Sequence, residues 1–317
     1  MEQARSQGST VLHSEITIQS LPVELIFDIF TYFKLKTYII AHGVCKEWRR
    51  LLPLAPINPV RRRLFQLYQN MINTPDFIKT RVWIVDNLAP FDRQAYIDAL
   101  LSQYPAIPEE FRIWILEWPA RAVIACMWPG LPFSVCYSVG PQRRYGVNWL
   151  GYKKHSPKLL APIYCHGSRT SKFSPALLIW RATYITEYLS FDESEPALFG
   201  RVVVKDYMEH QSPALIFHHR GAIYMSGDKK TAPSNNDENS YTLSGSFPDW
   251  ICYLEYQWAI TVEQIHYVGS SQIDTGFLIE EDRVMTCFNQ DIMNTRPTME
   301  WTERQRFLDH LTFPYYG

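Results

Sequence analysis

The sequence from Leu21 to Leu52 reads LPVELIFDIFTYFKLKTYIIAHGVCKEWRRLL, and its spacing of apolar residues predicts three short helices. Pro22 suits the first position of a helix, because the amide that proline lacks would have no partner there. Apolar residues then recur at helical spacing and form one broad stripe that other residues must cover. The stripe comprises Leu25, Ile26, Ile29, Phe30 and Phe33.

The same stretch predicts a second and a third helix. Thr37 is a candidate N-cap of the second helix, and Gly43 is its candidate end, because glycine readily adopts a positive φ. The third helix is predicted from Val44 to Leu52, and Pro53 ends it. Its apolar members are Val44, Cys45, Trp48 and Leu51.

Two parts of this stretch carry a resemblance to a known family. Leu21-Pro22-x-Glu24-Leu25, followed by Val44-Cys45-Lys46-x-Trp48-Arg49, closely resembles the F-box, the adaptor-binding motif of SCF-type cullin-RING ubiquitin ligases. The resemblance covers residues 18–53, about a tenth of the chain, and Tyr38 stands where the family usually has leucine. Three helices this short bury little surface, which favours a partner. The alternative for this stretch is an ordinary helical hairpin.

The F-box resemblance implies docking on a Skp-type adaptor and, through it, on the cullin of the SCF complex. The residues that the resemblance assigns to adaptor binding, or to the small core that presents it, are Leu21, Pro22, Leu25, Ile26, Ile29, Val44, Cys45 and Trp48.

Composition excludes several other classes of partner. The 317 residues are 46% hydrophobic and 15% aromatic, which is typical of a compact soluble protein. A formal net charge of -1 gives no electrostatic reason to bind nucleic acid or an anionic membrane. The first 17 residues lack the apolar core of a signal peptide, no later apolar run is long enough to span a membrane, and the six cysteines form no close pair. We therefore expect a cytoplasmic or nuclear protein with reduced thiols.

Proline clusters suggest how the chain is divided. The segment LPLAPINPV, residues 52–60, disfavours helix and predicts a hinge. We predict a disordered tail at 1–17, an F-box at 18–53, a linker and bracing helix at 54–75, and an α+β substrate-recognition domain at 76–317.

The sequence of the large domain predicts helices first and then mainly antiparallel strands. This order is typical of the α+β class. Apolar spacing predicts helices at 61–73, 92–103 and 107–118, a helix capped by Ser246, and a last helix at 298–311. Strands are predicted at 177–191 (broken in two), 201–204, 214–226 and 276–288, and the polar tract 227–240 predicts a loop.

Two segments of this domain are similar to the SUKH superfamily, the fold of fungal cell-wall-assembly regulators and of bacterial toxin-immunity proteins. They are Ile107-Pro108-Glu109-Glu110-Phe111 with the Trp-bearing helix after it, and Ser246-Phe247-x-x-Trp250-x-x-x-Leu254. Fungal proteins that join an F-box to such a domain are the nearest whole-chain analogue. This resemblance implies a protein-binding role with no general catalytic site.

Motifs for chemistry are weak throughout the sequence. It has no phosphate-binding glycine loop and no nucleophile elbow. Asp274-Thr275-Gly276 is a lone copy of a tripeptide that aspartic proteases need twice, so we interpret it as a turn. Cys165-His166 and His218-His219 lack the further ligands of a metal site. We predict no cofactor and no metal.

Four function classes are to be compared. A cysteine-dependent ligase would need an activated thiol, and the sequence gives Cys126 and Cys287 no such local setting. An unrecognised enzyme would need a pocket with clustered titratable groups. We favour a non-catalytic F-box adaptor that recruits an unknown protein client for ubiquitin-dependent degradation; the alternative is a ubiquitin-independent interaction scaffold or regulator.

Overall fold

A computed structural model describes residues 18–75, 77–133, 135–138, 144–152, 154–165, 172–182, 185–206, 246–268 and 276–277. The chain divides into two compact units, Met1–Asn58 and Pro59–Gly317. The predicted tail at 1–17 lies outside the described residues, and the predicted domain boundaries stay predictions.

Every secondary-structure element in the described part of the first unit is a helix. Its elements are a 3-10 helix (Ile18–Ser20), α1 (Val23–Thr31), α2 (Leu35–Val44), α3 (Lys46–Leu51) and a second 3-10 helix (Leu52–Leu54). The three α-helices and the second 3-10 helix contribute apolar side chains to a small core. The buried residues include Ile26, Phe30, Leu35, Tyr38, Ala41, Leu51 and Leu52.

The structure corrects several predicted helix ends. Pro22 is the N-cap of α1, not its first helical residue. Thr37 lies inside α2, which begins at Leu35, and Gly43 lies inside it too, because the helix continues to Val44. The predicted third helix from Val44 was therefore wrong at its start. Cys45 has an extended backbone and is the N-cap of α3.

The second unit begins with helices. They are α4 (Pro59–Ile72), a 3-10 helix (Phe77–Arg81), α5 (Val82–Asn87), α6 (Arg93–Leu101), α7 (Glu109–Glu117) and a 3-10 helix (Ala120–Ala122), and α8 (Trp250–Val268) follows the sheet. The three helices predicted before the sheet are confirmed, whereas α5 was not predicted. The apolar residues predicted to share one face of α7 and of the residue that follows it are all buried. They are Phe111, Trp114, Ile115 and Trp118.

The second unit contains an eight-stranded sheet in which every described pair is antiparallel. Its strands are β1 (Val135–Ser138), β2 (Arg144–Asn148), β3 (Leu159–Cys165), β4 (Lys172–Ala182), β5 (Ile185–Ser190), β6 (Val202–Asp206), β7 (Ser246–Phe247) and β8 (Gly276–Phe277). The order is β7-β6-β5-β4-β2-β1-β8, and β3 also pairs with β4. Helices followed by an antiparallel sheet confirm the α+β class.

The strands predicted at 177–191 and 201–204 correspond to β4, β5 and β6. The prediction that Ser246 caps a helix was wrong: Ser246 pairs with Val203 at the edge of the sheet, and α8 starts four residues later. The Asp249 carboxylate instead accepts the Cys252 amide at 2.9 Å. The predicted segments 214–226, 227–240 and 298–311, and the predicted strand 276–288 beyond Phe277, lie outside the described residues.

Aromatic side chains join the helices to one another. The Trp114 ring lies 4.8 Å from that of Trp128 and 5.0 Å from that of Trp250. The Tyr253 hydroxyl on α8 donates to the buried Glu187 carboxylate on β5. This hydrogen bond ties α8 to the sheet.

Candidate functional site

An aromatic cluster holds the first unit together. The ring centroid of Trp48 on α3 lies 5.3 Å from that of Phe30 and 6.3 Å from that of Phe33. The Phe30 and Phe33 rings are 5.2 Å apart. The Trp48–Phe30 contact is edge-on and the other two are tilted, and aromatic pairs in such arrangements add to the free energy of burial. Trp48 therefore fixes α3 against the C-terminal part of α1.

Two hydrogen bonds orient α3, which has only six residues. The Trp48 amide donates to the Cys45 sulfur at 3.4 Å and so satisfies one of the free amides at the helix start. The Arg49 Nε donates to the His42 carbonyl at 3.2 Å, near the end of α2. Burial, and secondarily the positive charge of Arg49, lowers the pKa of His42. The lowered pKa favours the neutral form of the His42 imidazole.

Tyr38 occupies the centre of the unit. Its side chain is buried, and its hydroxyl donates to the Leu52 carbonyl at 3.3 Å. A leucine at this position would fill apolar space but leave that carbonyl without this donor. Tyr38 thus links α2 to the second 3-10 helix.

The eight predicted site residues divide into exposed and covered groups. Leu25 is 49% exposed and Val44 is 56% exposed, and Pro22 is also exposed. Ile26 is buried and belongs to the core. The partly buried members of the set are Leu21, Ile29, Cys45 and Trp48. Exposed aliphatic side chains are available to a partner, whereas Ile26 supports them from beneath.

A groove opens between the start of α1 and α3. Its volume is about 410 Å³ and its walls are largely apolar. Its lining consists of Leu21, Val23, Ile26, Phe27, Glu47, Trp48, Arg50, Leu51 and Leu54. The groove brings together three of the predicted site residues.

The comparisons with known proteins concern this unit. The F-box-like family model matches residues 18–53. These residues form an F-box-like domain. The match covers the first 3-10 helix, α1, α2, α3 and all but the last residue of the second 3-10 helix, so it includes the aromatic cluster and every groove residue except Leu54. No curated protein and no solved structure matches the chain significantly.

The sequence reasoning missed several apolar residues of the F-box-like domain. Val23, Phe27 and Leu54 line the groove, and Ile40 is exposed one turn before Val44 on α2. The i, i+4 spacing of Val23 with Phe27, and of Ile40 with the already predicted Val44, is a signal that could have found three of these four residues. Leu54 follows Pro53 and was interpreted only as part of the hinge.

Charged side chains border the groove of the F-box-like domain. Arg50 Nη2 lies 2.6 Å from Glu47 Oε1, and both side chains are exposed. The hydrogen bond from Arg50 lowers the pKa of the Glu47 carboxyl. An exposed pair of this kind adds little stability, so its effect is to give the apolar groove a polar rim.

Several of the residues considered for other chemistry lie outside the described part of the chain. Over the described ranges, no three His, Cys, Asp or Glu side chains cluster to hold a metal ion. Cys165 ends β3, and His166, His218, His219, Asp274 and Cys287 are outside the described residues. Burial, with nearby carboxylates, raises the pKa of Cys252 to about 11, so this thiol is protonated at neutral pH. No helix in the described segments is both long and apolar enough to cross a bilayer.

Proposed function

We propose that this protein is a substrate-recognition subunit of an SCF-type ubiquitin ligase. Its F-box-like domain docks on a Skp-type adaptor, which links it to the cullin, and the second unit binds a protein client in the cytoplasm or nucleus. The observation that carries the proposal is the F-box-like match at residues 18–53, which coincides with a small helical unit that exposes aliphatic side chains.

The physical support is the mismatch between the domain's size and its exposed apolar surface. A segment of fewer than about 40 residues rarely stabilises itself without a partner. Leu25 and Val44 are exposed, and the groove between the start of α1 and α3 is apolar. Covering these groups with an adaptor removes apolar surface from water and so stabilises the complex.

In this proposal the chain has no catalytic site of its own. The RING enzyme of the complex and its conjugating enzyme transfer ubiquitin, and this chain supplies proximity. Holding a client lysine near the charged conjugating enzyme converts a bimolecular encounter into a local one. The client-binding unit is the α+β unit, for which the SUKH resemblance remains our proposal.

A pull-down of the adaptor by the full chain tests the docking step. We expect Leu25→Asp and Val44→Asp each to reduce recovery of the Skp-type adaptor by more than about 30-fold, because each places a charge where an apolar contact forms. Leu101→Asp is the matched control, since Leu101 is an exposed aliphatic residue of the second unit. Circular dichroism checks that each variant is folded.

Two outcomes count against the proposal. If folded Leu25→Asp and Val44→Asp variants recover as much adaptor as the wild type, the exposed side chains of Leu25 and Val44 are not the docking surface. Recovery of the adaptor without the cullin favours the alternative, a ubiquitin-independent scaffold. Trp48→Ala is a poor test, because Trp48 packs on Phe30 and Phe33 and we expect its loss to destabilise the domain itself.

A further inference from the structure

The C-terminal end of α1 exposes an aromatic side chain, that of Tyr32. It is 85% exposed, the largest fraction of any large apolar side chain in the described ranges. Tyr32 is the C-cap of α1, and its amide donates to the Ile29 and Phe30 carbonyls. Within the described part of the chain, no hydrogen bond or ring contact engages its side chain. The helix therefore fixes the backbone at Tyr32, and the ring extends into solvent.

Tyr32 continues a line of side chains along one face of α1. Successive residues of an α-helix are about 100° apart around the axis, so Leu25, Ile29 and Tyr32 lie within an arc of about 60°. We call these three residues the Tyr32 ridge. It extends about 10 Å along the helix, from exposed Leu25 through partly buried Ile29 to Tyr32. The buried Ile26 and Phe30 lie on the adjacent face, which packs into the core.

Two lysines follow the Tyr32 ridge in the chain. Lys34 is the N-cap of α2 and Lys36 lies in its first turn, and both are exposed. Because consecutive Cα atoms are about 3.8 Å apart, the Cα of Lys34 is within about 8 Å of that of Tyr32. Neither lysine forms an ion pair with a described carboxylate, and residues 31–37 include no acidic residue. One end of the ridge is therefore positively charged.

We propose that the Tyr32 ridge is the line along which the Skp-type adaptor contacts α1, and that Tyr32 is a specificity-determining residue of this contact. The inference rests on the proposed function and names the face of α1 that the adaptor covers. The adaptor surface is apolar opposite the ridge and carries carboxylates opposite Lys34 and Lys36, because complementary charges set specificity at an interface. Tyrosine is enriched among the residues that dominate binding free energy, since its rigid ring buries a large area.

Binding of the purified Skp-type adaptor to the immobilised full chain, followed by biolayer interferometry, tests the role of Tyr32. We expect Tyr32→Ala to weaken binding by at least about 10-fold, mainly through faster dissociation, because the ring contact is lost. Tyr32→Phe keeps the ring and stays within about three-fold of the wild type. Neither substitution removes the C-cap of α1, which uses the backbone amide. Circular dichroism verifies that both variants are folded.

Association rates test the charged end of the ridge. Lys34→Glu and Lys36→Glu should each slow association by at least about three-fold at low salt, because each places a negative charge opposite carboxylates. The difference from the wild type should shrink at about 0.5 M salt, which screens exposed charges. Lys154→Glu makes the same change of charge in the second unit and serves as the control. Its association rate should equal that of the wild type.

The outcomes separate this inference from the proposed function. If Val44→Asp weakens adaptor binding while Tyr32→Ala binds like the wild type, the adaptor docks on another face and the inference is overturned. It is also overturned if the Lys34→Glu and Lys36→Glu variants associate as fast as Lys154→Glu. A wild-type chain that does not bind the adaptor overturns the proposed function, and the inference with it.

Discussion

Arg63 and Asp249 form a two-pronged ion pair across 186 residues of sequence, with Arg63 Nη1 2.9 Å from Asp249 Oδ2 and Nη2 3.0 Å from Oδ1. The same carboxylate accepts the Cys252 amide at 2.9 Å and so caps α8. One side chain therefore fixes the start of α8 and attaches it to α4. Its two functions can be separated by mutation.

Asp249→Ala and Asp249→Asn separate the cap from the ion pair. Asparagine keeps an oxygen that can accept the Cys252 amide, but it carries no charge for Arg63. We expect Asp249→Asn to lower the free energy of unfolding by about 1 to 2 kcal/mol, allowing for the partial exposure of the pair. Asp249→Ala loses about 1 kcal/mol more, the usual value of an N-cap. Urea unfolding at neutral pH measures both; equal losses for the two variants would contradict the separation.

The ion pair also predicts a pH dependence. Burial alone would raise the pKa of Asp249, but hydrogen bonds from Arg63 and the Cys252 amide outweigh it and the pKa is lowered. A lowered pKa stabilises the fold at pH values above the unfolded-state pKa of about 3.9, and this stability is lost as the pH falls through the folded-state pKa. The difference in unfolding free energy between wild type and Asp249→Asn should thus shrink below about pH 4. A difference that stays constant down to about pH 2 would rule out this explanation.

The residue that caps the start of α8 could not be predicted from the local sequence. Ser246 and Asp249 are both good cap residues and precede the same apolar spacing. The choice between them depends on Ser246 pairing with Val203 in the sheet, 43 residues earlier in the chain. Local spacing was sufficient for α7, because its apolar face and its end at Pro119 are local signals. Nonlocal strand pairing leaves no such signal.

In the F-box-like domain, too, local spacing predicted the helices but not the contacts that depend on packing. The sequence predicted the apolar stripe of α1, but it could not separate buried Ile26 from exposed Leu25, because the two are adjacent in the sequence and helix packing decides which is covered. Cys45 was assigned to the interior of a helix for a similar reason. Its extended backbone separates α2 from α3, and its side chain caps the start of α3.

Gly43 provides a test of the corrected end of α2. It lies inside the helix, and an added Cβ would meet no atom within 4 Å. Alanine is favoured over glycine by about 0.5 to 1 kcal/mol within a helix, because it loses less backbone entropy on folding. We expect Gly43→Ala to raise the thermal midpoint of the F-box-like domain. Gly130→Ala is the contrasting variant, because its Cβ would lie 2.5 Å from the Ala89 carbonyl oxygen; it should destabilise the second unit. A lower midpoint for Gly43→Ala would indicate that the helix ends there after all.

A truncation tests whether the second unit folds alone. The division at Asn58 leaves α4 whole in the second unit. In α4, Arg61 contacts Glu117 of α7 at 2.7 and 2.8 Å, and Arg63 contacts Asp249. A fragment of residues 58–317 keeps both ion pairs, so we expect one cooperative unfolding transition by calorimetry and no binding to the adaptor. A fragment of residues 64–317 is the matched control: it loses both arginines and leaves the Glu117 and Asp249 carboxylates without their cations, so it should aggregate or unfold at a lower temperature. Aggregation of both fragments would mean that the second unit needs the F-box-like domain in order to fold.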